Sequence, residues 1–192
     1  MMDSVNLDLS SLINLTDEQF FQLCQEHELV NFERNADRTM VLMPLVGALT
    51  SNINGNITYQ LGTWNKNYKL GIVFGSDVGF TLPNGAVRSP DAAWIKQEKW
   101  EALNQNEREK FAPLSPDFII ELQSKQHKLS RLQAKMREYL ENGTSLGWLI
   151  DLETKKVEIY RQGKDLAILD NPKTLSGEDI LPDFILDLTS IW

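Results

Sequence analysis

The sequence predicts one domain of the mixed α/β or α+β class, in which helices flank a mixed central sheet. Three observations support this prediction. Apolar runs of strand length alternate with stretches of helical spacing, and residues 117–151 have the pattern of a strand–helix–strand crossover. The strand at 145–151 is apolar on both faces. Such a strand belongs in the middle of a sheet that is covered on both sides.

Two helices and two strands are predicted in the first part of the chain. Thr16 as an N-cap, followed by acids and helically spaced apolar residues, predicts a helix over 15–27. Short apolar runs predict strands at 39–44 and 69–75. Between these strands a helix is predicted, because apolar residues recur nearly every 3.6 residues, at positions 49, 53, 57, 61 and 64.

The middle of the chain leads into the clearest helix of the sequence. Residues 79–95 are predicted to form a hairpin around a Pro-Asn-Gly turn, and residues 97–111 a surface helix. A strand at 117–122 precedes a helix over 127–143. That helix is expected to end at Gly143, since glycine is favoured directly after a helix.

Two further strands, at 145–152 and 155–162, complete the predicted sheet. The mostly apolar end of the chain is expected to pack on the body. A length of 192 residues fits one domain, residues 1–192, in which residues 1–31 form an N-terminal helical extension.

Composition restricts the class of protein. The single cysteine, Cys24, rules out an intramolecular disulfide and a Cys-rich zinc site. No apolar run approaches the length of a membrane span and no signal-peptide pattern opens the chain, so a cytoplasmic protein is expected. A net charge of −8 argues against indiscriminate coating of nucleic acid. Residues 124–137 nevertheless carry basic residues and no acid, a local face that can meet a polyanion.

Two acids on neighbouring predicted strands suggest a cation site. In the stretch PDFIIELQ, residues 116–123, Glu121 and Gln123 share one strand face. Asp117 shares that face but lies about 13 Å from Glu121 along the strand, too far to share one ion. The second acid must come from the preceding hairpin, where Asp91 lies among apolar residues. The Leu122 carbonyl is a further candidate ligand.

Such oxygen ligands suit Mg²⁺ or Mn²⁺, and a divalent cation is what phosphodiester hydrolysis needs. Taken singly, an Asp after proline often caps a turn and a Glu at a strand end often faces solvent. Only their combination with the following basic helix indicates chemistry.

The run from RSPDAAWI to WLIDLETKKVEIYR resembles the Uma-type "putative restriction endonuclease" family, a branch of the PD-(D/E)XK nuclease superfamily formerly classed as a domain of unknown function. The resemblance extends from about residue 32 to the C-terminus. Its most specific part is the spacing of Pro90, Asp91, Glu121, Ser124, Lys135, Tyr139, Gly143 and the WLID strand.

The resemblance implies a restriction-endonuclease-like core in which Asp91 and Glu121 bind the metal. The superfamily usually places a lysine two residues after the glutamate, where this chain has Gln123. In other members of this branch a lysine on the following helix takes over, and this position corresponds to Lys135. On a helical wheel Lys135 lies about 90° from the centre of the apolar stripe, so it can extend over the sheet toward Glu121.

Further residues are implied with weaker roles. Glu33 matches a family glutamate and is a possible extra acid, while Ser124 either bonds within the site or, as we favour, caps the turn. Asn54 matches a family asparagine and is expected to anchor backbone. His127 departs from the family pattern, so the resemblance implies no role for it.

The predicted function is a Mg²⁺- or Mn²⁺-dependent DNA endonuclease, and a homodimer is expected because two active sites are needed to cut both strands. The absence of a separate recognition domain predicts low sequence specificity, and no membrane partner is expected. Two alternatives stay open: a catalytically inactive nuclease-fold protein that binds nucleic acid or regulates, and a hydrolase of another phosphodiester. The basic residues of the helix are expected to contact DNA phosphates or to form a solvated face: Lys125, Lys128, Arg131 and Arg137.

Overall fold

A computed structural model of the chain describes residues 5–8, 15–27, 30–124 and 128–192. The described residues contain these elements in chain order: β1 (Val5–Leu7), α1 (Asp17–Glu26), β2 (Asn31–Arg34), β3 (Met40–Met43), α2 (Ala48–Tyr68), β4 (Gly71–Phe74), β5 (Phe80–Thr81), β6 (Val87–Arg88), β7 (Ala92–Lys96), α3 (Gln97–Glu101), α4 (Gln105–Glu109), β8 (Phe118–Gln123), α5 (Leu129–Glu141), β9 (Leu146–Asp151), β10 (Lys156–Arg161), β11 (Ala167–Asp170), β12 (Thr174–Ser176) and β13 (Ile185–Asp187).

The central sheet is mixed, as the sequence predicts. Its strand order is β11-β10-β9-β8-β7-β4, and only the β8–β9 pair is parallel among these strands. A second sheet has the order β1-β3-β2-β6-β5, and β12 pairs with β13. The mixed α+β class is therefore confirmed.

The parallel pair is joined by helix α5, which confirms the predicted crossover. All six residues of β9 are buried, so this strand is central. Helix α5 packs on one face of the sheet through Leu132, Met136 and Tyr139. It can approach closely because β9 has Gly147 beneath it, where an added Cβ would lie 2.6 Å from Met136 Cε.

The other face of the sheet is covered by α2 and by the end of the chain. Ile53, Ile57 and Leu61 of α2 belong to the same core cluster as the C-terminal residues. The expected packing of the tail is confirmed by its buried residues: Leu181, Phe184, Leu186, Leu188 and Ile191.

The predicted hairpin over 79–95 is only partly correct. Strands β5 and β6 do form a hairpin around Pro83-Asn84-Gly85, with Gly85 at φ 85°. The chain then leaves this sheet, and β7 pairs in the central sheet instead. The break falls at Pro90, which has no N–H to donate to a strand ladder. Asp91 thus lies on the connection between two sheets.

The surface helix predicted over 97–111 is wrong, because two short helices, α3 and α4, occupy this range. Asn104 caps the second helix, and Glu107 bonds back to the Asn104 amide. This capping box starts a new helix where a continuous one was expected. Strands β1, β2, β11, β12 and β13 were not predicted.

The N-terminal segment combines a helix and a strand in its described part. Helix α1 has the predicted Thr16 N-cap, which forms a capping box with Gln19. Strand β1 pairs with β3, so the extension is not purely helical. The division into one domain with an extension at 1–31 stays a prediction. None of the described helices is long and apolar enough to cross a membrane.

Candidate active site

Asp91 and Glu121 meet where β7 and β8 run side by side. Ala92 pairs with Ile120, and continuing this antiparallel register by one residue places Asp91 opposite Glu121. Asp91 Oδ2 accepts a hydrogen bond from the Leu122 amide at 2.7 Å. The N–H and C=O of one strand residue point to the same side, so the Leu122 carbonyl also points toward Asp91.

The other carboxylate oxygen of Asp91 accepts a hydrogen bond from helix α2. Asn54 of α2 donates from Nδ2 to Asp91 Oδ1 at 2.8 Å. The expectation that Asn54 anchors backbone is therefore wrong, because its side chain donates to a carboxylate. Both oxygens of Asp91 are fixed, which holds this acid at the end of β8.

Lys135 of α5 lies between two buried carboxylates. Its Nζ is 2.7 Å from Glu121 Oε1 and 2.7 Å from Glu33 Oε1, and it donates to the Ser89 carbonyl at 3.0 Å. The exposed fraction of the side chain is 9% for Lys135, 4% for Glu121 and 2% for Glu33. Two carboxylates and a carbonyl thus compensate the ammonium for the water that it loses on burial.

Glu33 brings the second sheet into the site. It lies in β2 and accepts a hydrogen bond from the Ser89 amide at 2.9 Å. Arg88 Nη1 lies 3.5 Å from Glu33 Oε2, and Arg88 Nε donates to Glu138 of α5 at 2.6 Å. The side chains thus form a spatial series of alternating acids and bases: Glu121, Lys135, Glu33, Arg88 and Glu138.

The carboxylates of the site have different proton affinities. Burial raises the pKa of Glu121 to about 8; Lys135 opposes this shift, and the nearby Asp91 and Glu33 add to it. Burial also disfavours the charged form of Glu33, but Lys135 and Arg88 hold its pKa below the ordinary value. Burial lowers the pKa of Lys135, yet Glu121 and Glu33 outweigh this effect and raise it. Lys135 therefore stays an ammonium.

The donors at the end of β8 fit a hard divalent cation. They are oxygens: the carboxylates of Asp91 and Glu121 and the Leu122 carbonyl. Gln123 Oε1 is also buried and has no hydrogen-bond partner among the described residues. No group of three or more His, Cys, Asp or Glu that could hold a metal occurs in the described ranges. One or two carboxylates with a carbonyl and waters are nevertheless a usual set for Mg²⁺.

A cavity of about 320 Å³ adjoins this site between α5 and the second sheet. Arg131, four residues before Lys135, lines it and is half-buried. Within the part of the chain that the structure describes, the Arg131 side chain has no hydrogen bond or ion pair. The cavity is lined by Asn6, Glu33, Asn35, Arg88, Arg131, Ala134, Lys135 and Glu138.

Lys128 and Arg137 do not line this cavity. Lys128 is exposed at the N-cap of α5. Arg137 is exposed about 160° around the helix from Lys135, and its charge acts on Tyr160. Lys125 and His127 lie outside the described residues. Ser124 directly follows β8, and its role stays a prediction.

Asp117 directly precedes β8, at the opposite end of the strand from Glu121. Its Oδ2 accepts a hydrogen bond from the Lys96 amide at 2.9 Å, and its Oδ1 lies 3.5 Å from Lys99 Nζ. The aspartate of the PDFIIELQ stretch therefore bonds to Lys96 and Lys99, at the opposite end of the strand from Glu121. Sequence reasoning missed Arg88, Glu138 and the Asn54 contact, since these residues are brought in by tertiary packing.

Comparison with known proteins gives a family and a fold. A family model described as "Uma2: Putative restriction endonuclease" matches residues 17–189. A crystal structure of "a putative nuclease belonging to DUF820 from Anabaena variabilis ATCC 29413" is similar with a TM-score of 0.76 and 19% identity. The match covers 93% of this chain and 97% of that chain, and it shows a shared fold. No curated protein matches the sequence.

Proposed function

This chain belongs to the Uma2 family, described as "Putative restriction endonuclease", and we propose from this premise that it is an endonuclease. It hydrolyses DNA phosphodiester bonds with Mg²⁺ or Mn²⁺ and an activated water. The observation that carries the proposal is the convergence of Asp91, Glu121 and Lys135, which come from the β6–β7 connection, β8 and α5.

Asp91, Glu121 and the Leu122 carbonyl would hold the cation, and the buried Gln123 Oε1 would accept a hydrogen bond from its shell. When bound, the cation polarises the scissile phosphate and lowers the pKa of a coordinated water. Glu121 has to lose its proton to act as a ligand, because burial raises its pKa to about 8.

Lys135 supplies the positive charge that is absent at Gln123. Glu121 and Glu33 hold its pKa above the ordinary value, so Lys135 acts as a charged donor rather than as a general base. An ammonium at this point stabilises the negative charge that develops on the phosphate oxygens. Glu33 fixes the ammonium by its 2.7 Å ion pair.

DNA is the proposed substrate, with low sequence specificity. The cavity beside Lys135 offers Arg131, whose charge has no partner in the described ranges, to a phosphate of the bound strand. Lys125, Lys128 and Arg137 stay predicted phosphate contacts, as do a homodimer for double-strand cleavage and a cytoplasmic location.

Two observations favour a second function, a nuclease-fold protein that binds nucleic acid without cutting it. Lys135 is neutralised by two carboxylates, and the chain carries a net charge of −8. A protein with this second function would bind DNA in a binding assay and leave its strands intact at every cation concentration.

Nicking of supercoiled plasmid with Mn²⁺ separates the two functions. We expect cleavage by the wild type and a loss of at least about 100-fold in Glu121→Gln, since both the charge and the ligand are removed. Glu158→Gln is the matched control. Glu158 is also buried and accepts hydrogen bonds from Gln133 Nε2 at 2.7 Å and from Tyr160, but it lies on β10. Equal nicking by wild type and Glu121→Gln would refute the proposal.

A further inference from the structure

Asp91 lies at a point where no strand ladder holds it. The chain leaves the second sheet after β6 and enters the central sheet only at Ala92. A side chain on such a connection can adopt other orientations unless neighbouring groups fix it. In the structure two hydrogen bonds do this, from the Leu122 amide at 2.7 Å and from Asn54 Nδ2 at 2.8 Å.

Asn54 is itself held on a well-anchored helix. The neighbouring Ile53 and Ile57 of α2 are 5% and 1% exposed in the core on one face of the central sheet. Lys135 reaches the site from α5, which covers the other face. Groups from the two sides of the sheet thus reach two neighbouring acids, Asn54 bonding to Asp91 and Lys135 pairing with Glu121.

The amide oxygen of Asn54 carries a second signal. Asn54 Oδ1 is buried and has no hydrogen-bond partner among the described residues. Native proteins leave few buried polar atoms unpaired, and an unpaired oxygen next to a carboxylate is satisfied by a water or by an ion's hydration shell. The amide therefore has its donor on Asp91 and its acceptor available to such a water.

We propose that Asn54 is a positioning residue for the cation site. Its NH₂ group aims the Asp91 carboxylate, and its oxygen accepts a hydrogen bond from a water of the cation shell. This inference rests on the proposed function, because it assigns Asn54 a role at the same site. Partners that orient a ligand in this way typically change metal affinity by about 10- to 100-fold when they are removed.

The alternative is a purely structural role, in which Asn54 joins α2 to the sheet. The two roles differ in how they respond to the cation. A positioning residue changes the affinity for Mn²⁺, and the lost cleavage returns when Mn²⁺ is raised to saturation. A structural residue changes the melting temperature of the metal-free protein, and added Mn²⁺ does not restore cleavage.

The test is calorimetric titration of the full chain with Mn²⁺, for the wild type and Asn54→Leu, which is close in size and lacks both polar groups. Asn56→Leu is the matched control on the same helix. Asn56 lies on another side of α2 from Asn54, and its side chain donates to Ser190 at 3.1 Å instead of to Asp91. Plasmid nicking across a range of Mn²⁺ concentrations is the second measurement.

We expect Asn54→Leu to bind Mn²⁺ about 10- to 100-fold more weakly than wild type. Its cleavage should be restored at saturating Mn²⁺ with an unchanged KM for DNA, and Asn56→Leu should match the wild type. An Mn²⁺ affinity within twofold of wild type, or a loss that Mn²⁺ cannot restore, overturns the inference. If the leucine variant does not fold, Asn54→Ser is judged by the same criteria. If the wild type neither binds Mn²⁺ nor nicks DNA, the proposed function fails as well.

Discussion

Lys135→Met tests the buried charge network directly. The change removes the ammonium from between Glu33 and Glu121 and leaves an unbranched side chain in its place. Removal of one partner from a buried ion pair costs about 3–5 kcal/mol, because the remaining charge stays buried without compensation. Two features of the structure place the expected loss near the lower end of this range.

The first feature is that Glu121, with a pKa raised by burial to about 8, can take up a proton at pH 7. The second is that Glu33 keeps Arg88 at 3.5 Å and the Ser89 amide at 2.9 Å. We therefore expect Lys135→Met to lower the free energy of unfolding by about 3 kcal/mol at pH 7. For a chain of this size that corresponds to a fall in Tm of roughly 6–12 °C.

The assay is urea unfolding in EDTA, followed by tryptophan fluorescence. Lys99→Met is the control, since Lys99 is 35% exposed and lies 3.5 Å from Asp117, where an ion pair contributes at most about 1 kcal/mol. Glu33→Gln combined with Lys135→Met should recover most of the loss, because the uncompensated charge is then gone. A Lys135→Met variant within about 1 kcal/mol of wild type would refute the account of a buried charge network.

Three other predictions follow from single contacts. Burial raises the pKa of Glu121 from about 4.5 in the unfolded chain to about 8, so the stability that its bound proton contributes is fully present below pH 4.5 and is lost as pH rises through 8. In urea titrations of the metal-free proteins, the free energy of unfolding should therefore fall less for Glu121→Gln than for the wild type as pH rises from 5 to about 8.5. Arg131→Gln should weaken DNA binding and reduce the slope of log affinity against log salt by about 1, whereas Arg137→Gln, on another side of α5, should change it less; equal slopes for the two variants would contradict the cavity as a phosphate site. Gly147→Ala should destabilise by about 1 kcal/mol, because its Cβ would lie 2.6 Å from Met136 Cε, the movable end of a flexible side chain, and Met136→Val in the same chain should relieve part of this in thermal melts.

Local sequence patterns were sufficient to predict the strand–helix–strand unit at the centre of the fold. The apolar runs around 117–122 and 145–152 and the stripe of α5 predicted the parallel crossover, because each pattern is set by residues close in sequence. The hairpin over 79–95 failed at Pro90, where the chain changes sheets. Its apolar residues are equally compatible with either sheet, so the break depends on packing rather than on the local pattern.

The candidate site divides in the same way. Asp91 and Glu121 could be paired from strand spacing, and the resemblance singled out Lys135. The ion pairs of Glu33 and Arg88 could not be predicted from spacing, because they join a second sheet to α5 across about 50 to 100 residues of chain. The Asn54 amide was expected on backbone, and only the placement of α2 shows that it meets Asp91.

The most direct test of the central claim is a crystal structure of the protein soaked with Mn²⁺, with anomalous diffraction used to locate the ion. We expect one strong peak bound by carboxylate oxygens of Asp91 and Glu121 and by the Leu122 carbonyl, with Lys135 Nζ still paired to Glu33. A protein that nicks plasmid with Mn²⁺, yet binds the ion away from Asp91 and Glu121, would contradict the account.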